Sequence, residues 1–153
     1  KERVFVLEKV VEVAASQLGL ERDEHIFFDG LPTLRGVQLD RLLSELVKNA
    51  VKYAGEEQPA KIEVTSRVVD DKVAIYVRDH GIGIPLEHRR RVFEIFKRLQ
   101  PKGDKGGQGI GLAICKRICE ANGGAIAVVE TEGEGTTFEV MLPAKRCVDT
   151  ASA

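Results

Sequence analysis

The stretch Leu39 to Tyr53, LDRLLSELVKNAVKY, constrains the fold more than any other part of the chain. Leu39, Leu42, Leu43, Leu46, Val47, Ala50 and Val51 recur at helical spacing and make a wide apolar face. A helix with such a face must lie against another layer. Its other side carries Glu45, Asn49 and Lys52 at i, i+4 and i+7, which stack on one narrow stripe. A carboxylate, an amide and an ammonium aligned this way can hold a metal-bound phosphate. They also suit an ordinary solvated face with i, i+4 pairing.

Around this helix the pattern alternates between helices and hairpins. Arg3 to Leu18 reads as a short apolar start followed by a helix with Val10, Val11, Ala14 and Leu18 on one face, stopped by Gly19. His25 to Phe28 reads as a short strand, and Leu31 to Val37, with Pro32 and Gly36, as a connection. Lys61 to Arg67 and Lys72 to Arg78 alternate as strands about an Asp70-Asp71 turn. Leu86 to Phe96 has a helical pattern. Lys97 to Gln108 is rich in Gly, Lys and Asp and reads as a mobile segment. Gly109 to Asn122 is a helix closed by Gly123-Gly124, and Ala125 to Glu130 with Thr136 to Leu142 forms a last hairpin. There is no strict βαβ alternation. The expected fold is therefore α/β, a two-layer sandwich of a mixed, mostly antiparallel sheet with three main helices on one face. At 153 residues the chain is one domain, over 1–145, with a flexible tail at 146–153.

Composition narrows the function. A net charge of −1 gives no global attraction to nucleic acid or anionic lipid, so neither is an expected partner. No apolar run reaches the roughly 18 residues of a membrane span, so the domain is expected to make no membrane contact and to be cytoplasmic. Cys115, Cys119 and Cys147 match no disulfide or zinc framework and read as packing or surface thiols of a reducing compartment. The chain opens on Lys1, and its only methionine is Met141, which suggests an excised piece of a longer protein.

Three glycine motifs follow the helix. Asp79-His80-Gly81-Ile82-Gly83-Ile84 ends a strand. Its aspartate can accept a hydrogen bond from an exocyclic amine, and its glycines let a flat ring approach the backbone, although Asp and Gly also make plain turns. Gly106-Gly107-Gln108-Gly109-Ile110-Gly111 opens a helix, where free N–H groups and the helix N-terminus favour an anion; a simple loop is the alternative. It lacks the Gly-Lys-Ser/Thr of a P-loop and follows a polar stretch rather than a strand, unlike a dinucleotide fingerprint. Gly133-Glu134-Gly135-Thr136-Thr137-Phe138 is a hairpin whose Thr136 hydroxyl can reach a base through water or serve only as a β-branched strand residue.

The order of these motifs resembles the GHKL ATPases: gyrase, the heat-shock chaperone ATPases, histidine kinases and the MutL repair proteins. The pattern is most similar to the ATP-binding catalytic domain of sensor histidine kinases. Leu46 to Tyr53 resembles the N box, Asp79 to Ile84 the first G box, Val92 to Phe96 the F box, and Gly107 to Ile114 the second G box. Val92 to Leu99 also resembles phytochrome-type kinases.

The resemblance implies a Bergerat ATP-binding fold with ATP and Mg²⁺ as cofactors. Asn49 would hold Mg²⁺, Lys52 would contact phosphate and Tyr53 would lie by the adenine. Asp79 would take the adenine amino group, with Gly81, Gly83 and Ile84 beside it. Gln108, Gly109, Ile110, Gly111 and Leu112 would line the phosphates, and Thr136 the base. Lys97 and Arg98 are candidate lid cations, with Lys102 and Lys105 as further candidates.

Glu45 stands where many histidine kinases have asparagine, and it implies either assisted transfer or water activation. No acceptor histidine in a helical box is present; His25, His80 and His88 read as structural or surface residues. The resemblance thus implies transfer of the γ-phosphoryl to a histidine on a separate dimerisation and phosphoacceptor domain upstream of Lys1, with a response regulator as an indirect partner. An anti-sigma-type serine kinase or a stand-alone GHKL ATPase is the alternative.

Overall fold

A computed structural model of the chain describes residues 1–53, 60–81, 83, 88–89, 91–93, 110–129 and 135–149. Its strands are β1 (Arg3–Val6), β2 (Ile26–Phe28), β3 (Thr33–Gly36), β4 (Ile62–Val69), β5 (Lys72–Asp79), β6 (Ala125–Val129) and β7 (Thr136–Pro143). Its helices are α1 (Leu7–Gln17), α2 (Leu39–Lys52) and α3 (Ile110–Ala121). Five strands form the main sheet in the order β2-β4-β5-β7-β6. Only β2 and β4 run parallel; the other pairs are antiparallel, which makes the sheet mixed and mostly antiparallel as expected.

Period-2 alternation sends Val73, Ile75, Val77 and Asp79 of β5, and Phe138, Val140 and Leu142 of β7, to one face. That face and the helices share one continuous core. Helix α2 contributes Leu39, Leu42, Leu43, Leu46, Val47 and Ala50 to it, all buried, the face read from its 3.6-residue period. Asp40 in its first turn and Lys52 in its last complement the helix dipole.

Two expectations need correction. Leu31 to Val37 is not a plain connection, because β3 lies within it and pairs antiparallel with β1 from Arg3↔Gly36 to Val6↔Thr33. A four-residue strand flanked by Pro32 owes its existence to a partner far away in sequence, which local propensity does not register. Arg146 to Val148, read as tail, are bonded back onto the domain. Ala144–Arg146 form a 3-10 turn, Cys147 bridges Leu34, and the Val148 N–H donates to the Thr33 carbonyl at 2.8 Å.

Of the expected helix Leu86 to Phe96, the described residues are 88–89 and the 3-10 turn Arg91–Phe93. Val92 and Phe93 are buried, and the Phe93 ring meets Phe138 edge-on at 6.0 Å between centroids. The segment expected to be mobile, Lys97 to Gln108, lies outside the described residues. Among the described residues no helix is long and apolar enough to cross a membrane. Cys115 and Cys119 are buried, and burial pushes both thiols well above their usual range, Cys119 to about 12. They pack rather than react.

Leu46 is fully buried at the centre of α2, whereas Val13 on α1 is 56% exposed. Leu46→Ala is expected to lower unfolding free energy by roughly 3 kcal/mol through the lost contacts and the cavity left behind. Val13→Ala should change it by about 0.5 kcal/mol or less. Urea denaturation of the two variants checks both values.

Candidate functional site

Asp79 closes β5 on the face that looks toward the helices. It sits in register between Ile62 of β4 and Thr136 of β7, and only 2% of its surface is exposed. The Gly81 N–H donates to its Oδ1 at 2.8 Å, and the Thr136 N–H also donates to the carboxylate. Burial pushes the Asp79 carboxyl up to about 6; the two N–H groups and the nearby charges of His80 and Arg78 offset only part of that cost. The outcome is an under-solvated acceptor at the mouth of a strand. A carboxylate offers about four lone-pair sites, and two N–H groups leave capacity for another donor.

The turn around Asp79 is shaped by a glycine that the sequence placed in a hairpin motif without giving it a site role. Gly135 has φ +112°, and a Cβ there would overlap the Asp79 carbonyl. Having no side chain, Gly135 itself can lie directly on the Asp79 backbone. Gly83, at φ +81°, packs toward the Gly135 carbonyl, so the first and last glycine motifs meet at one place. The Gly-x-Gly before Thr136 was the available signal, although hairpin turns carry the same residues. Thr136 is 4% exposed and beside Asp79, as its assignment to the same site requires.

The residues expected at the phosphates lie on α2 and α3. The Glu45 side chain is 17% exposed, and its Oε2 lies 3.6 Å from Lys48 Nζ and 3.8 Å from Arg41 Nε. Its Oε1 lies against Gly111 in the first turn of α3, 2.7 Å from where a Cβ would stand. The Glu45 carboxylate thus occupies the space that a side chain at 111 would need. Arg41 and Lys48 were not singled out in the sequence, although their i−4 and i+3 spacing marks them as partners. Asn49 is half-buried on the same helix, and Lys52 Nζ lies 5.4 Å from the Tyr53 ring centroid.

The expected site residues fall into three sets. Glu45 and Gly111 meet, and so do Asp79, Gly81, Gly83 and Thr136. Leu112 sends its side chain into the core. Ile84, Lys97, Arg98, Lys102, Lys105, Gln108 and Gly109 lie outside the described residues, as does the side chain of Ile110. Of the histidines, His80 Nε2 faces Glu63 Oε2 at 3.9 Å, and His25 Nδ1 accepts from the Glu21 N–H at 3.0 Å.

These residues fit the implied groups. Asp79 has spare acceptor capacity for an exocyclic amine in a glycine-lined setting. Among the described residues no cluster of three or more His, Cys, Asp or Glu could hold a metal ion. Asn49, half-buried on α2, would offer a side-chain oxygen to Mg²⁺, which keeps several waters and binds through substrate phosphates.

Comparison with known proteins agrees with this geometry. The profile of the family described as "Histidine kinase-, DNA gyrase B-, and HSP90-like ATPase" matches residues 35–146. The chain is 38% identical over 142 residues to cyanobacterial phytochrome A of Nostoc sp., covering 90% of this chain and 18% of that protein. The mycobacterial sensor histidine kinase MprB superposes with a TM-score of 0.75 at 25% identity, covering 94% of this chain and 97% of that one. Full-length ShkA, solved in complex with AMPPNP, superposes at a TM-score of 0.64 with 30% identity, covering 90% of this chain and 30% of that one. The chain spans less than a fifth of the curated relatives it matches, 18% and 19% for two of them.

The raised Asp79 pKa has a definite sign. The folded state prefers the protonated carboxyl, so this group's contribution is fully present below about pH 4 and is lost as pH rises to about 6. Over that window it removes about 3 kcal/mol of stability. An amine donor bound to the carboxylate favours the ionised form and should lower the midpoint. Carbon-13 NMR of the Asp79 carboxyl should titrate near 6 in the free domain and lower with an adenine nucleotide bound. A midpoint near 3.8 in the free domain would contradict the burial argument.

Proposed function

Because the chain belongs to the family of histidine kinase-, DNA gyrase B- and HSP90-like ATPases, and within it to the histidine-kinase catalytic-domain type, we propose that it binds Mg-ATP and donates the γ-phosphoryl to a histidine. That histidine lies on a separate dimerisation and phosphoacceptor domain, of the same or a partner chain, and a response regulator receives the phosphoryl afterwards. The reaction belongs to two-component signalling in the cytoplasm. The observation that carries this reading is the Asp79 carboxylate buried at the end of β5, where the Gly81 and Thr136 N–H groups donate to it.

In this reading Asp79 accepts from the adenine amino group, with Gly81, Gly83 and Ile84 against the ring and Thr136 and Tyr53 at its edges. Asn49 holds Mg²⁺, and Lys52 contacts phosphate. The N–H groups of Gly109, Ile110, Gly111 and Leu112, at the start of α3, cradle the phosphates with Gln108. Lys97 and Arg98 reach the triphosphate from the lid. Bound Mg²⁺ neutralises charge on the phosphate oxygens. In transfer, the acceptor imidazole nitrogen gains a bond to the γ-phosphorus while the bridge to the β-phosphate breaks and ADP leaves. The chain's contribution is positioning and charge placement, the main demands of phosphoryl transfer.

The position of Glu45 against Gly111 supports a second reading, a stand-alone ATPase or an anti-sigma-type serine kinase. In the ATPase, Glu45 activates water. A steady ATPase rate without any acceptor, lost in Glu45→Gln, would favour it; phosphate on a partner's serine would favour the serine kinase.

Asn49→Asp is expected to weaken binding of a Mg-ATP analogue by tenfold or more, ~1.4 kcal/mol, and to abolish transfer to an added phosphoacceptor domain. Unchanged affinity by calorimetry together with intact transfer would sink the assignment.

A further inference from the structure

Asn122, the first residue past α3, is completely buried, and its side-chain amide is fully engaged. The Val37 N–H donates to its Oδ1 at 2.8 Å. Its Nδ2 donates to the Val37 carbonyl at 3.0 Å and to the Ile118 carbonyl at 2.7 Å. It therefore reads both backbone groups of Val37, as a paired strand would, while closing the end of α3. Gly36 leaves room for it: a Cβ there would stand 2.5 Å from Asn122 Oδ1 and 2.9 Å from Leu39 Cδ1.

Arg146 locks the same point from outside. Its Nε donates to the Asn122 carbonyl at 2.7 Å, and its Nη1 to the Arg35 carbonyl at 3.1 Å and to Glu2 Oε2 at 3.0 Å. The start of the domain, the lead into α2 and the end of α3 are thus tied at one buried junction.

Three contacts then show how α2 and α3 run past each other. Val37 meets Asn122, the Leu42 carbonyl lies 3.9 Å from Cys115 Sγ, and Glu45 meets Gly111. The helices are antiparallel, and α3 spans about 16 Å from the clasp to Gly111. A rod pinned at one end transmits an axial shift to the other.

We propose that Asn122, braced by Arg146, is a positioning residue that sets the register of α3 against α2 and so places the phosphate-binding turn at Gly111 opposite the Glu45–Asn49–Lys52 stripe. This rests on the reading of that turn as the triphosphate site. Adenine recognition stands on β5 and β7 and does not depend on the clasp.

Two variants test it. Asn122→Asp keeps the acceptor but replaces both donors with oxygen facing two carbonyls. Arg146→Gln loosens the brace from the outside, where the Arg146 side chain is 16% exposed, and so spares the buried amide if the first variant does not fold. In the ligand-free folded domain, the Gly111 amide resonance should shift in either variant. Affinity for a non-hydrolysable Mg-ATP analogue should fall on the order of tenfold, while affinity for adenosine stays within about twofold. An unmoved Gly111 resonance, or parallel loss of both affinities, would overturn the proposal. A shifted Gly111 with no nucleotide binding in the unaltered domain would instead overturn the functional reading, because the resonance reports the register without ligand.

Discussion

The site depends on taking a carboxylate out of water at the end of a strand. Asp79 is 2% exposed, and its ionised form is disfavoured by burial, which the backbone N–H groups of Gly81 and Thr136 offset only in part. Such an arrangement costs stability in the free domain. It persists because the sheet fixes the strand end, since β5 is central and paired on both sides along its whole length. In the proposed function a ligand that donates a hydrogen bond to this carboxylate would offset part of the cost of its burial.

The second constraint is the packing of α2 on α3. Their antiparallel contact places a carboxylate, Glu45, where Gly111 has no side chain. The first turn of α3 and the polar stripe of α2 are thereby held over the one core that buries Leu42, Leu43, Leu46, Cys115 and Ile118. Packing and function are not separable here, because the hydrophobic faces of the two helices set where their polar ends meet.

Much of this was legible in the chain. The α2 face follows from 3.6-residue spacing, and β4 and β5 from alternation, because both patterns are local consequences of burial on one side. The order of the glycine motifs pointed to Asp79, Gly83 and Thr136, which the fold brings together. What escaped was non-local. Strand β3 exists because β1 pairs with it, and Arg146 to Val148 are ordered because they bond to Glu2, Thr33, Leu34 and Arg35. Gly135 and Asn122 looked like ordinary turn and helix-end residues; only the strand and loop they touch, far off in sequence, show what they do.

The most direct measurement is nucleotide discrimination by the domain at neutral pH. In the proposed pose adenine presents an amino donor to the Asp79 carboxylate, whereas guanine would set a carbonyl oxygen against that acceptor at the same ring position. Calorimetric titration should show Mg-ATP bound about a hundredfold more tightly than Mg-GTP, with the preference lost in Asp79→Asn. Equal affinity for the two nucleotides, or a preference that survives Asp79→Asn, would contradict the account.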